Sequence, residues 1–254
     1  MSNKIFSLTS AIMFGGSVAF ADVPKVVADI APVHSLVARV MNGVGNPNLI
    51  IPAGASPHDY QMRPSEARSI QDADIIFWMG EDLTPWLSKA LSSLAEGTPV
   101  STLLEVDGID LLDFREGALF EAHDDHDDHK DDDDDHDDHD DHDDHEGHAH
   151  GDHDPHAWLS PTIAKVWLNE IAAKLSAIDP DNAGAYFSNA ASAKQDLDSL
   201  SAEINMLLDP IRDKKFVVFH DAYQYFEKDF NISASGAISL GDASNPSPAR
   251  LAEV

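Results

Sequence analysis

Apolar and polar positions alternate along this chain in two different periods. Lys25–Ile30 reads as a strand and Val33–Met41 as a helix. Asn48–Ile51 follows as a second strand, then Ser65–Gln71 as a helix opened by Pro64, whose fixed φ suits a first helical position. Ile75–Met79 is an unbroken apolar run, the pattern of a parallel strand covered on both faces. Leu83–Leu94 has helical period, and Pro99–Leu103 reads as a fourth strand. Strands and helices alternating at this pitch predict an α/β fold with a parallel sheet.

Two long helical patterns come next. Ser160-Pro161 is a cap followed by a first-turn proline, and Ile163, Val166, Trp167, Ile171, Leu175 and Ile178 trace one apolar face. Asp179-Pro180 opens the second pattern, whose stripe runs Phe187, Ala190, Lys194, Leu197, Leu200, Ile204 and Leu207 up to Pro210. A helix of that length spans about 40 Å, more than a small lobe needs, and predicts a strut between two lobes. Another α/β unit starts at Lys215, with Phe216–Phe219 as strand, Ala222–Phe230 as helix and Ile232–Ile238 as strand. Ser247-Pro248 begins a further helix close to Val254, too short to stand alone in water. The expected organisation is therefore an N-terminal lobe over 22–178, a linking helix over 179–210 and a partial C-terminal lobe over 211–254, in a chain truncated at its C terminus.

Between these patterns lies a tract, Glu121–Asp154, built almost wholly of Asp and His. It holds ten of the 14 histidines: His123, His126, His129, His136, His139, His142, His145, His148, His150 and His153. With almost no apolar side chains it cannot offset its ordering entropy, so a disordered loop is expected. Neutral imidazole and carboxylate are good ligands for divalent zinc, copper or nickel, which makes low-affinity cation capture its expected chemistry.

The formal net charge is −30, more than half of it in the tract, and a polyanion of this size is a poor partner for nucleic acid. There is no cysteine, which excludes thiolate metal sites and internal disulfides. Lys4, the apolar stretch Ile5–Phe20 and Ala19-Phe20-Ala21 before Asp22 read as a signal peptide over 1–21, so export to the periplasm is expected.

Four histidines remain, and for any one alone a structural role is the default. His58 follows the Asn48–Ile51 strand, His220 follows the Phe216–Phe219 strand, and His156 precedes the helix capped by Ser160. Ligands of open α/β sheets bind at the carboxyl ends of strands. Pro57 and Pro155 restrict the backbone just before two of these residues, and Asp59, Asp154 and Asp221 stand beside them as acceptors able to fix ring tautomers. Together His58, His156 and His220 suggest one metal site, with His34 as a possible auxiliary ligand.

Gly54-Ala55-Ser56-Pro57-His58-Asp59-Tyr60, Asp154-Pro155-His156-Ala157-Trp158-Leu159-Ser160-Pro161 and Val218-Phe219-His220-Asp221-Ala222-Tyr223 resemble three motifs of the periplasmic zinc-binding proteins of ABC transporters. They occur in the family order, with the acidic His-rich loop where zinc-binding members carry one. The resemblance implies two α/β lobes bridged by one long helix, Zn2+ in the cleft between them, and delivery to a membrane permease. His58, His156 and His220 match the family's three zinc histidines. Manganese-binding relatives place Glu where His220 stands, in keeping with the preference of imidazole for zinc. Some zinc-binding members have Glu where this chain has Pro57, and others take a fourth ligand from the C-terminal lobe beyond Val254. The expected function is a monomeric periplasmic zinc receptor. The alternatives are a metal buffer acting through the tract and a zinc hydrolase, the latter disfavoured by the absence of His-Glu-x-x-His and of an evident base or nucleophile.

Overall fold

A computed structural model describes residues 23–115, 119–120, 153–239 and 248–253. Residues 1–21 and the tract up to residue 152, on which the signal-peptide and loop expectations fall, lie outside the described residues.

Strands β1 (Val26–Ala28), β2 (Asn48–Leu49), β3 (Ile75–Trp78) and β4 (Val100–Thr102) form one parallel sheet in the order β2-β1-β3-β4. Every residue of β1 and β3 is buried, as their unbroken apolar runs require. Helices α1 (Ala31–Val40), α2 (Pro64–Gln71) and α3 (Pro85–Leu94) connect the strands, each with proline in its first turn. Asn48–Ile51 was expected as one strand, and β2 stops at Leu49. Its backbone nevertheless continues alongside β1, with the Ile50 and Ile51 N–H groups donating to the Ala28 and Asp29 carbonyls.

Asp29, just after β1, is wholly buried; its carboxylate accepts the N–H groups of Ile30 (2.7 Å) and Met79 (2.8 Å). Loss of water pushes its pKa up from 3.8 to about 7, and the amide hydrogen bonds oppose that rise without cancelling it. Between those two values the folded chain binds a proton that the unfolded chain has released. Stability is therefore expected to fall by about 1.4 kcal/mol per pH unit through this window and to stay at the lower value above it. Asp29→Asn, whatever its effect on the absolute midpoint, should flatten the thermal melting curve against pH between pH 5 and 7. Parallel wild-type and variant profiles would refute the proton linkage.

Helix α4 (Pro161–Ile178) starts at the expected cap, with Ser160 Oγ accepting the Ile163 N–H at 3.0 Å. Its buried face is Ile163, Ala164, Trp167, Leu168, Ile171, Ala172 and Leu175, whereas Ile178 is exposed. Trp167 donates its indole N–H to the Leu103 carbonyl just beyond β4, at 2.8 Å. After a 3-10 turn over Pro180–Asn182 comes α5 (Ala183–Leu208), a 26-residue helix about 40 Å long. Here the expected stripe needs correction. Tyr186, Ala190 and Ala193 are buried and Leu197 packs against the core, but Phe187, Leu200 and Leu207 are exposed. Helix α5 lies against α1 and α4; Asn189 caps α1 by donating to the Val40 and Asn42 carbonyls.

A second sheet pairs β5 (Val218–His220) in parallel with β6 (Ala237–Ser239), His220 facing Ser239 in the register. Helix α6 (Gln224–Phe230) joins them and ends at Asn231, whose φ of 49° is the left-handed conformation that Asn tolerates at a helix end. Asp229 on α6 accepts from Ser160 Oγ (2.7 Å) and the Thr162 N–H (3.0 Å), which fastens α6 to the start of α4. Helix α7 (Pro248–Glu253) is the last element described. The architecture is α/β with parallel sheets and one long helix, as the periodicity predicted.

Candidate metal centre

His58 sits on a loop held at both ends. The Ala55 N–H donates to the Pro52 carbonyl at 3.1 Å, closing a turn whose third residue, Gly54, has φ 87°, a value that favours glycine. Trp86 on α3 donates its indole N–H to the Pro57 carbonyl (2.9 Å). On the other side Tyr60 donates to Glu66 Oε1 (2.8 Å), and Glu66 Oε2 accepts the Arg63 N–H (2.6 Å) to close the first turn of α2.

His156 is 3% exposed and stands one residue before a 3-10 turn over Ala157–Leu159 that leads into α4. Its Nδ1 lies 2.6 Å from Asp154 Oδ1, which also accepts the His156 backbone N–H at 3.0 Å. A carboxylate only accepts, so Nδ1 carries the hydrogen, and in the neutral ring Nε2 then keeps its lone pair. Nε2 is buried and has no hydrogen-bond partner.

His220, the last residue of β5, completes the group. The ring centroids of His156 and His220 are 4.9 Å apart, those of His58 and His156 5.5 Å, and those of His58 and His220 5.7 Å. One ligand nitrogen from each of the three lies within 4.8 Å of the other two. A single cation bound at the usual zinc–imidazole distance of about 2.0–2.1 Å can reach all three after small ring rotations. A buried lone pair without a donor is costly unless something electropositive meets it, and a metal ion does so.

His34 is not brought into this group; its Nε2 lies 3.0 Å from the Pro47 carbonyl. The last two residues of the tract are ordered, contrary to expectation. His153 pairs through Nδ1 with Asp113 Oδ1 at 2.9 Å, and Asp154 is fully buried. The other nine tract histidines, from His123 to His150, lie outside the described residues. Of the three expected acceptor carboxylates, Asp154 orients a ring, Asp59 is exposed, and the Asp221 carboxylate turns to Arg115 instead. A separate cavity of about 470 Å³, lined by residues including Lys25, Asn48, Arg68 and Asp72, lies at the amino ends of β1 and β2 and contains no imidazole.

Sequence reasoning missed the residues that hold Asp154. Gln224 donates to Asp154 Oδ2 (2.9 Å) and to the Asp113 carbonyl (3.1 Å). Tyr225 donates to the Asp154 carbonyl (2.8 Å) and accepts the Leu112 N–H (3.0 Å). Burial pushes the Tyr225 phenol up to about 12, so it keeps its proton at neutral pH. Both residues come from α6, about seventy positions away, and no local pattern marks them.

Residues 26–254 match the family described as ZnuA, zinc-uptake complex component A, periplasmic. The chain belongs to this family. It is 49% identical over 245 residues to the high-affinity zinc uptake system protein ZnuA of Paracoccus denitrificans (strain Pd 1222), spanning 96% of this chain and 75% of that one. It is 43% identical over 258 residues to the protein of the same name from Brucella abortus (strain 2308), with 97% and 77% covered. Its fold is similar to a crystal structure of ZnuA (TM-score 0.70, 22% identity, 91% of this chain and 76% of that one). It is also similar to the Zn(II)-bound ZnuA-like domain of Streptococcus pneumoniae AdcA (TM-score 0.64, 27% identity, 91% and 73% covered). Members of this zinc-uptake family are solute-binding receptors of the periplasm.

Proposed function

We propose that the chain is a zinc receptor that captures Zn2+ on His58, His156 and His220 and hands it to the permease of an ABC-type importer. The observation that carries this reading is the buried, unpartnered Nε2 of His156, its ring set by Asp154 and facing two further imidazoles. An all-imidazole donor set from the chain suits zinc better than manganese, for which carboxylate oxygens are preferred. The zinc-uptake names of the relatives support the same cargo. Zinc here is cargo, so the site must hold it and also release it, and the chain acts as a receptor and not as an enzyme.

The organisation that serves this function is an N-terminal lobe over 22–178, a linking helix over 179–210 and C-terminal lobe residues over 211–254, with residues 1–21 as the export signal. The receptor works as a monomer in the periplasm and has no nucleic-acid partner. The Asp/His tract adds weaker, exchangeable sites and raises capacity without contributing a ligand to the tight one.

Isothermal titration with zinc, before and after deletion of Ala122–Gly151, tests the reading. One tight site of unchanged affinity should survive the deletion while the additional weak sites disappear. Loss of the tight site would instead make the tract the primary binder and the chain a buffer.

A further inference from the structure

His58 is braced by residues of α2 and α3, and His156 by Asp154, which Gln224 and Tyr225 of α6 hold in turn, whereas His220 has a thinner foundation. It ends β5, a three-residue strand paired with β6 alone among the described residues, and the side chains of Val217 and Phe219 before it are exposed. Two short strands do not fix themselves in water. What holds the turn that follows it therefore bears on the position of His220.

That turn is held by Asp221, which is 5% exposed. Its carboxylate accepts from Arg115 Nε at 3.1 and 3.2 Å and makes a further contact with an Arg115 terminal nitrogen. The same guanidinium donates to Glu227 Oε2 (2.9 Å) and Oε1 (3.0 Å) on α6. Glu227 in turn accepts the Ala234 N–H (3.0 Å) on the approach to β6. The Arg115 guanidinium carbon lies 3.7 Å from the centroid of the Phe120 ring, and the Phe120 N–H donates to the Ser235 carbonyl at 2.9 Å. One side chain thus joins the end of β5, α6 and the entry to β6 to a segment more than a hundred residues earlier.

We infer that Arg115 is a positioning residue for zinc binding: through Asp221 it sets where His220 stands relative to His58 and His156. The inference rests on the reading of those three histidines as the zinc site. Arg115 itself does not reach the metal. The planar guanidinium fork serves two carboxylates at once, whereas a lysine ammonium is a point charge that cannot hold both in the same geometry. Arg115→Lys should therefore keep the compensation of charge and lose the placement.

The full chain is compared with Arg115→Lys and with the double variant Arg115→Gln/Glu227→Gln, which removes one cation and one anion and so preserves the net charge of the cluster. Zinc affinity is read by competition with a chromophoric chelator, ligand geometry by the visible d–d absorption of bound Co2+, and folding by far-UV circular dichroism. A folded variant should bind zinc about 10- to 100-fold more weakly, the range for groups that orient metal ligands, with an altered Co2+ spectrum. Wild-type affinity together with a wild-type Co2+ spectrum in either folded variant overturns the inference. Loss of folding in both variants also overturns it, because Arg115 would then be required for the fold itself. His58→Ala is measured alongside: an unimpaired tight site there would refute the three-histidine reading, which separates that failure from a failure of the role given to Arg115.

Discussion

Replacing any one of His58, His156 or His220 by Ala is expected to weaken zinc binding by more than about 100-fold. Changes to groups that only orient metal ligands already cost about 10- to 100-fold, and removal of a ligand should exceed that range. The three imidazoles lie close enough for one ion to span them, and His156 already has its tautomer set with Nε2 left for the metal. His156 should be the most sensitive, since its buried ring cannot be replaced by bulk water without a cavity. His34→Ala should leave zinc affinity unchanged, because its Nε2 is engaged at the Pro47 carbonyl. Calorimetric titration of the protein lacking Ala122–Gly151 isolates the tight site from the tract. Unchanged affinity in any of the three variants would remove that residue from the ligand set. Zinc must also displace protons from imidazole, so wild-type affinity should weaken as the solution is acidified.

Trp167→Ala is expected to lower the unfolding free energy by about 3–5 kcal/mol, a large part of the roughly 5–15 kcal/mol available to a typical domain. The indole is fully buried on the apolar face of α4, and its N–H is donated to the Leu103 carbonyl. The truncation leaves a large cavity and weakens the attachment of α4 beyond the edge of β4. The Leu103 carbonyl would keep only the longer contact from the Val106 N–H at 3.4 Å. Urea unfolding followed by circular dichroism measures the loss. A change below about 1 kcal/mol would mean that the buried Trp167 ring does not anchor α4. Because α4 begins four residues after the His156–Ala157 peptide, zinc affinity should weaken in the same variant, by less than in His156→Ala.

The sequence by itself determined the fold class and the start of α4, and it singled out three histidines that the structure brings together, because each is written in residues close together along the chain. The unbroken apolar runs at Val26–Ala28 and Ile75–Trp78 announced strands buried on both faces, and Ser160-Pro161 announced the start of α4. In the structure His156 stands before the turn that leads into α4 and His220 ends β5, while His58 lies on the loop between β2 and α2. Only the tertiary structure decided which neighbours serve those histidines. Asp154 and Asp221 look equivalent along the chain, yet one turns to an imidazole and the other to Arg115. Gln224 and Tyr225 reach Asp154 from α6, and the stripe of α5 is buried only where α1 and α4 lie against it. Periodicity and capping are short-range properties of the backbone. The partner of a buried carboxylate, and the extent to which a helix finds a surface to cover it, depend on how distant segments pack, and a hydrogen bond across a hundred residues leaves no periodic trace in the sequence.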